Sequence, residues 1–218
     1  MYKVVDLYDL SNSRTGGYLA GFTYPHEALP GIREMIDALG ETLPMEEFEH
    51  PREHVWIARD AVIAPTALIG EHVIIDHEAE IRHGAFIRGN ALVGRRAVVG
   101  NSTELKNVIL FDQVQVPHYN YVGDSILGFH AHLGAGAVTS NVKGDNTAVI
   151  IRDGTETLAT GLRKVGAMLG DWAEIGCNSV LNPGTVIGPH AQVYPLVSVR
   201  GTVPARCIHK GHEIVEKR

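Results

Sequence analysis

A six-residue repeat constrains the fold of this chain more than any other feature of its sequence. From Val55 to Lys106 an aliphatic residue recurs every six positions, and a small residue follows it four positions later. A period of six fits neither the 3.6-residue helix nor the alternation of an ordinary strand. It is typical of a parallel β-helix built from hexapeptides. The aliphatic positions are Ile57, Ile63, Ile69, Ile75, Ile81, Ile87, Val93, Val99 and Leu105.

The repeat predicts an all-β protein, a left-handed parallel β-helix of hexapeptide repeats. Each six residues form one strand and a corner, and three such units complete a coil of about 18 residues. A chance alternation in an ordinary sheet does not explain why the pattern returns later in the chain. Because no coil buries its own face, stability comes from contacts between neighbouring coils. The second run places its aliphatic residues at Leu169, Ile175, Leu181, Ile187, Val193 and Val199.

Residues 1–54 lack the repeat and are predicted to form an N-terminal helical cap region. The stretch PGIREMIDALG spaces its apolar residues as on one face of a helix. We expect this helix to cover the first coil, since the open end of a β-helix is an unpaired sheet edge. The apolar positions of the helix are Ile32, Met35, Ile36 and Leu39.

Residues 55–218 are predicted to form the β-helix itself. The phase of the repeat slips at about 111–124, which in a solenoid indicates an inserted loop or a site. An excursion is expected at about 140–167, with a short strand at 148–151. A C-terminal tail carrying Ile214 and Val215 is expected to pack back on a neighbour or on the β-helix.

Composition excludes several classes of function. The net charge of −6 argues against a general nucleic-acid surface. The two cysteines, Cys177 and Cys207, indicate no disulfide framework and fit a reducing compartment. No apolar stretch reaches membrane-spanning length, and the N-terminus lacks a signal-type core. These features predict a cytoplasmic protein without a nucleic-acid or membrane partner.

Arg88 and Lys106 form the first candidate site. They lie 18 residues apart, and each follows an inward aliphatic residue, so both are expected at the same corner of adjacent coils. Adjacent strands stack about 4.8 Å apart, and two cations at that spacing favour an anion such as phosphate. The alternatives are that both side chains extend into water, or that Glu104 neutralises Lys106.

His118 and Tyr121 form the second candidate site, within the phase slip. A histidine in such a position can act as a general base near neutral pH. The chain holds 12 histidines, so on its position alone a surface histidine explains His118 equally well.

The region from Arg88 to about Gly188 resembles the acetyltransferase half of the bifunctional N-acetylglucosamine-1-phosphate uridyltransferase/glucosamine-1-phosphate acetyltransferases. It is equally similar to archaeal sugar-1-phosphate nucleotidyltransferases that carry a β-helix. The segments that carry the resemblance are NSTELK, HYNYVGDSILG, LGAGAVTSNVKGDN and LGDWAEIGCNSVLNPGTVIG, in this order. No Gly-rich loop of the nucleotidyltransferase domain is found, so the resemblance implies a stand-alone β-helix acyltransferase.

The resemblance implies roles for eight residues. His118 corresponds to the catalytic base, and Ala135 to a backbone amide near the thioester of acetyl-CoA. Cys177 stands where a small serine lies near the pantetheine arm. The remaining five are implied to bind the acceptor substrate: Arg88 and Lys106 at its phosphate, with Tyr121, His132 and Asn141.

Two positions depart from the pattern of that family. His132 replaces an asparagine that contacts the sugar, and Thr147 replaces a lysine. These departures leave the acceptor sugar open. The resemblance implies acetyl transfer from acetyl-CoA to the amine of an amino-sugar phosphate or nucleotide sugar. It also implies a threefold homotrimer with its pockets between subunits.

Two rival functions remain open from the sequence. One is a non-catalytic β-helix that binds a sugar nucleotide, which the changes at His132 and Thr147 favour. The other is a zinc enzyme resembling the γ-carbonic anhydrases, which needs three histidines. His83 and His118 have a suggestive separation, but the third histidine would fall at Gly123. No metal ligand is therefore predicted.

Overall fold

The chain folds as a stack of parallel β-coils, and the predicted β-helix of hexapeptide repeats is confirmed. The fold is described from a computed structural model, which covers residues 1–217. Short helices precede the coils. The α-helices are α1 (Val4–Leu7), α2 (Gly16–Leu19) and α3 (Ile32–Gly40), and two 3₁₀ helices span Leu10–Asn12 and Pro25–Gly31.

Twelve strands lie before the excursion and eleven follow its start. The first twelve are β1 (Phe48–Arg52), β2 (Val55–Ala58), β3 (Val62–Ile63), β4 (Leu68–Ile75), β5 (Glu80–Ile81), β6 (Phe86–Val93), β7 (Val98–Asn101), β8 (Glu104–Leu110), β9 (Gln115–His118), β10 (Tyr121–Leu127), β11 (His132–Leu133) and β12 (Val138–Thr139). The others are β13 (Ile150–Asp153), β14 (Glu156–Ala159), β15 (Ala167–Leu169), β16 (Glu174–Ile175), β17 (Val180–Leu181), β18 (Thr185–Ile187), β19 (Gln192–Val193), β20 (Ser198–Val199), β21 (Thr202–Val203), β22 (Cys207–His209) and β23 (Ile214–Glu216).

The inward residues of the repeat form continuous aliphatic rows along the stack. Ile75 lies beside Val93, and Ile81 beside Val99, in parallel register. All four side chains are fully buried. Ile57 belongs to the first coil and is only partly buried, because no further coil lies beneath it.

The phase slip has a different cause from the predicted inserted loop. Leu105 lies opposite Ile87, but Lys106 lies opposite Gly89, so Arg88 has no counterpart on the next strand. The corner after Leu105 is therefore one residue shorter than the corner below it. Of the two predicted causes, an inserted loop or a site, the loop is wrong, since residues 111–124 contain β9 and the start of β10 and continue the coils. The site stays a prediction. A corner can lose a residue while the inward residues keep their rows.

The predicted N-terminal helix is confirmed as α3, but it packs against the side of the coils rather than over their open end. The residues before the inward row, Ile74, Leu92 and Ile109, point outward by strand alternation and are still fully buried. Helix α3 covers this row on β4, β6 and β8, with Ile32 and Ile36 buried in the contact. The open edge of β2 is instead paired by β1, which runs antiparallel to it.

The excursion and the tail both form antiparallel pairs. Strands β13 and β14 form a hairpin that belongs to neither large sheet, and β13 begins two residues later than the expected strand. In the tail, Ile214 and Val215 lie in β23, which pairs back on β22. Among residues 1–217, no helix has the length and apolar character needed to span a membrane.

Candidate functional site

One corner of the β-helix brings together three of the predicted site residues. His118, Ala135 and Cys177 occupy the same corner position on three successive coils. The amide of Gly136 donates to the His118 carbonyl at 3.0 Å, and the amide of Asn178 donates to the Ala135 carbonyl at 2.8 Å. Successive coils are therefore about 4.8 Å apart at this corner. We call these three residues the corner column.

The three members of the corner column are accessible to a ligand. The side chains of His118 and Cys177 are exposed, and Ala135 is partly exposed. The backbone amide of Ala135 makes no hydrogen bond within the described part of the chain. The coil ladder does not use this amide, since proline occupies the same corner position at Pro195. A free, outward amide can donate to a developing oxyanion.

Asn120 fixes the backbone on which His118 stands. Its side chain is buried and accepts a hydrogen bond from the His118 amide at 3.1 Å. The same side chain donates to the carbonyls of Gly134 and Ala137, at 2.9 and 3.0 Å. Asn120 thus joins the His118 coil to the Ala135 coil. Asn120 lies outside the aliphatic positions of the six-residue repeat, and nothing in the sequence predicted its role.

A cluster of polar side chains surrounds Asp124 at the next corner along the chain. The Asp124 carboxylate is buried and accepts from Lys106 Nζ at 3.0 and 3.2 Å. It also accepts from the amides of Asn107, at 3.0 Å, and Asn141. Asn141 Nδ2 lies 3.2 Å from the Tyr121 hydroxyl as well. Lys106, Tyr121 and Asn141 are therefore brought together, although the sequence analysis did not single out Asp124.

Arg88 lies on the strand next to Lys106, and each cation has a carboxylate partner. Arg88 donates to Glu104 at 2.9 Å, while Lys106 pairs with Asp124. The alternative pairing of Glu104 with Lys106 is therefore wrong, because Glu104 pairs with Arg88 instead. Each cation still has unused donors, because a guanidinium carries five N–H groups and an ammonium carries three.

The Tyr121 side chain lies over Gly123. A Cβ at Gly123 would lie 2.5 Å from the Tyr121 hydroxyl and 2.8 Å from Asn141 Nδ2, so a larger residue there would displace these side chains. Burial raises the pKa of Tyr121, and the charges of Asp124 and Glu104 raise it further, while the hydrogen bond from Asn141 opposes them. Tyr121 therefore stays protonated at neutral pH and can donate or accept a hydrogen bond.

His132 lies on a different side of the β-helix from Arg88 and Lys106. It belongs to β11, in the nine-stranded sheet, and its Nδ1 lies 2.9 Å from Glu174 Oε2. Within one chain the eight predicted residues thus divide between two sides of the coil stack, with the corner column at the edge that the two sides share.

The histidines of the zinc alternative do not converge within the chain. His83 and His118 occupy the same corner position, but Asn101 lies between them. Two coil spacings, about 9.6 Å, separate their backbones, which is too far for a shared ion in one chain. Gly123 supplies no ligand, and Tyr121 covers it.

Sequence comparisons relate the coil region to sugar-phosphate enzymes. A family model described as the GMPPB C-terminal domain matches residues 69–156. A bifunctional sugar-1-phosphate nucleotidylyltransferase/acetyltransferase of Sulfurisphaera tokodaii is 33% identical over 94 residues, 43% of this chain and 23% of the relative. A bifunctional protein GlmU of Methanococcus maripaludis is 36% identical over 93 residues, 43% of this chain and 22% of the relative. The predicted resemblance to these enzymes is confirmed.

The chain spans less than a quarter of the length of these bifunctional relatives. A shorter relative, a putative uncharacterized acetyltransferase YaiX of Escherichia coli, is 29% identical over 114 residues, 52% of this chain and 50% of the relative. Among solved structures, the Francisella novicida UDP-N-acetylglucosamine acyltransferase is 16% identical, with a TM-score of 0.47, over 72% of this chain and 63% of that one. Similarity at that level specifies no substrate.

Proposed function

We propose that this protein transfers an acetyl group from acetyl-CoA to the amine of an amino-sugar phosphate or a nucleotide-linked amino sugar. The observation that carries the proposal is the corner column, in which His118, Ala135 and Cys177 stand on successive coils. Two relatives named as acetyltransferases support the class of reaction, and one of them is also named as a sugar-1-phosphate nucleotidylyltransferase.

The chemistry assigns one task to each member of the corner column. His118 accepts a proton from the acceptor amine, whose nitrogen forms a bond to the thioester carbonyl carbon. The Ala135 amide donates to the oxygen that becomes negatively charged in the tetrahedral intermediate. The carbon–sulfur bond then breaks, and the CoA thiolate takes the proton from the His118 imidazolium. Cys177 lies one coil beyond Ala135, beside the path proposed for the pantetheine arm.

Arg88 and Lys106 are proposed to hold the phosphate of the acceptor. Both point outward from neighbouring strands, and both retain donors beyond those given to Glu104 and Asp124. Fixing the phosphate there orients the acceptor, which contributes through positioning rather than through bond making. Tyr121 and Asn141 lie beside Lys106 and are proposed to contact the sugar.

The active assembly is proposed to be a cyclic homotrimer. The predicted residues divide between two sides of the coil stack, so one pocket needs two copies of the chain to complete it. Large apolar side chains are exposed on both sides of the corner column, which is unusual for a surface that faces only water. They are Val62, Leu68, Phe86, Tyr119 and Leu196. Cyclic symmetry would bury this surface and set His132 of one copy against the Lys106 side of the next.

Acetyl-CoA turnover by the purified chain tests the proposal. Release of free CoA thiol is followed with a panel of amino-sugar phosphates and nucleotide-linked amino sugars. His118→Ala is expected to lower kcat by roughly 10²–10⁴-fold, the usual contribution of a general base. His83→Ala is the matched control, because His83 has the same corner position two coils away, and it should retain activity. A folded trimer without turnover on any acceptor would rule out the enzymatic function.

A non-catalytic binding role is the second candidate, favoured by one observation. A carboxylate already pairs with each of three predicted substrate-binding side chains, Arg88, Lys106 and His132. Such pairs stabilise the surface without a substrate. Isothermal calorimetry separates the two functions. An acyltransferase binds CoA, whereas a module that only binds a sugar nucleotide binds the nucleotide and not CoA.

A further inference from the structure

Two histidines and one aspartate converge at the junction between α3 and the first two coils. His54 Nδ1 lies 3.0 Å from Asp37 Oδ1, and His72 Nδ1 lies 2.8 Å from the same oxygen. The two imidazole rings are 4.4 Å apart, and all three ligand atoms lie within 4.8 Å of one another. His72 is buried, while His54 and Asp37 are about one-third exposed, so the group can be reached from solvent.

The coil geometry explains why these residues meet. His54 and His72 are 18 residues apart and occupy one corner of neighbouring coils, each in the left-handed conformation, with φ of 59° and 56°. The same corner holds Asn90, Asn107 and Asp124 on the next three coils, all with positive φ. Short polar side chains are the residues that tolerate this conformation. At this corner the two histidines are the members next to Asp37 of α3, and the other three members are asparagine or aspartate.

We propose that Asp37, His54 and His72 bind a divalent transition-metal ion of the zinc type. Two imidazole nitrogens and one carboxylate oxygen are the ligand set that such ions prefer, with a further position left for water. Ligand atoms about 2.0–2.1 Å from a tetrahedral ion lie roughly 3.3 Å apart. The distances from Asp37 Oδ1 to the two Nδ1 atoms, 3.0 and 2.8 Å, are each within about half an ångström of that separation.

A second contact fits a ligating role for His54. If Nδ1 binds the metal, the proton of the ring resides on Nε2, and that atom lies 3.4 Å from Glu53 Oε1. A carboxylate beside the outer ring nitrogen is the usual partner of a metal-bound histidine, and it fixes the tautomer. The site is separate from the corner column and takes no part in the proposed reaction. Its ion would tie α3 to the first two coils, so metal binding would stabilise the attachment of the helix.

Zinc binding by the untagged full-length chain tests this site. The chain is stripped with a chelator, and zinc is then measured by calorimetry and by mass spectrometry of the bound metal. One ion per chain is expected. The double variant His54→Asn/His72→Asn reproduces the corner that Asn90 and Asn107 already form, so it should remain folded. We expect it to bind zinc more than about 100-fold more weakly. Loss of a residue that only hydrogen-bonds a metal ligand already lowers metal affinity by about 10–100-fold, and here two ligands themselves are lost.

His212→Asn is the matched control, because His212 is an exposed histidine far along the chain in the tail, and it should bind zinc as tightly as the unmodified chain. Zinc should also raise the unfolding temperature of the unmodified chain and not that of the double variant. Cobalt in place of zinc should give visible absorption bands of a bound ion. Failure of the folded chain to bind one zinc ion, or equal affinity in the double variant, would overturn the assignment.

Discussion

Replacing Asn120 by alanine should destabilise the protein strongly, because its side chain links two neighbouring coils through hydrogen bonds. The Asn120 side chain is buried and makes three hydrogen bonds, with the His118 amide and with the carbonyls of Gly134 and Ala137. A buried hydrogen bond contributes about 0.5–1.5 kcal/mol net, so the loss of three gives roughly 1.5–4.5 kcal/mol. The loss destabilises the two coils that carry His118 and Ala135.

Asn120→Asp provides a sharper test than alanine, because it keeps the size of the side chain. A carboxylate cannot donate to Gly134 and Ala137, and it brings a charge into a buried site lined by carbonyl oxygens. We therefore expect Asn120→Asp to be less stable than Asn120→Ala at neutral pH. If volume alone mattered, the order would be the reverse.

Equilibrium unfolding in guanidinium, followed by far-ultraviolet circular dichroism, measures both effects. The midpoint should fall while the slope with denaturant stays the same. Asn101→Ala is the control, because the partly exposed Asn101 makes one such bond, to the His83 carbonyl at 2.8 Å. It should cost no more than about 0.5–1.5 kcal/mol. If Asn120→Ala unfolds within the range of this control, or if Asn120→Asp is the more stable of the two variants, the Asn120 hydrogen bonds do not hold these coils together.

Two further predictions concern the N-terminal region. His26 is buried, its Nδ1 has no partner within residues 1–217, and burial lowers its pKa below the ordinary value of 6.5. The unfolded chain thus binds the extra proton more readily, so stability should fall as the pH drops below about 6.5. Between pH 7.5 and pH 5.5 the unfolding temperature of His26→Leu should fall less than that of the unmodified chain. An equal fall in both proteins would show that His26 is not the cause. Ile109→Ala should cost about 2–5 kcal/mol in denaturant unfolding if Ile109 is packed under α3, and a cost below that of Val5→Ala, at an exposed position of α1, would contradict the packing.

The sequence predicted the interior of the fold well because the interior repeats. Each inward position, such as Ile81 or Val99, has the same environment as its neighbours, so one period describes all of them. The position of α3 could not be predicted in the same way. The helix packs on the outward-pointing row of Ile74, Leu92 and Ile109. The six-residue pattern describes inward positions and says nothing about apolar residues that point outward.

The ion pairs of the candidate site could not be predicted from the sequence. The spacing of Arg88 and Lys106 correctly predicts neighbouring strands, but it does not reveal that Glu104 and Asp124 pair with them. Asp124 follows Asn107 by one coil of 17 residues and lies beside Lys106, and this near-coil spacing was the available signal. One coil also separates His54 from His72, but Asp37 reaches them from outside the repeat, where no period applies.

Protection of Cys177 by acetyl-CoA tests the central claim most directly, because it reports where the co-substrate lies and needs no knowledge of the acceptor. Cys177 is exposed and Cys207 is partly buried, so one chain supplies both the reporter and its internal reference. Alkylation of each thiol is followed by mass spectrometry with and without acetyl-CoA. We expect slower labelling of Cys177 in the presence of acetyl-CoA and an unchanged rate at Cys207. Equal labelling of Cys177 at saturating acetyl-CoA would contradict the placement of the co-substrate along the corner column.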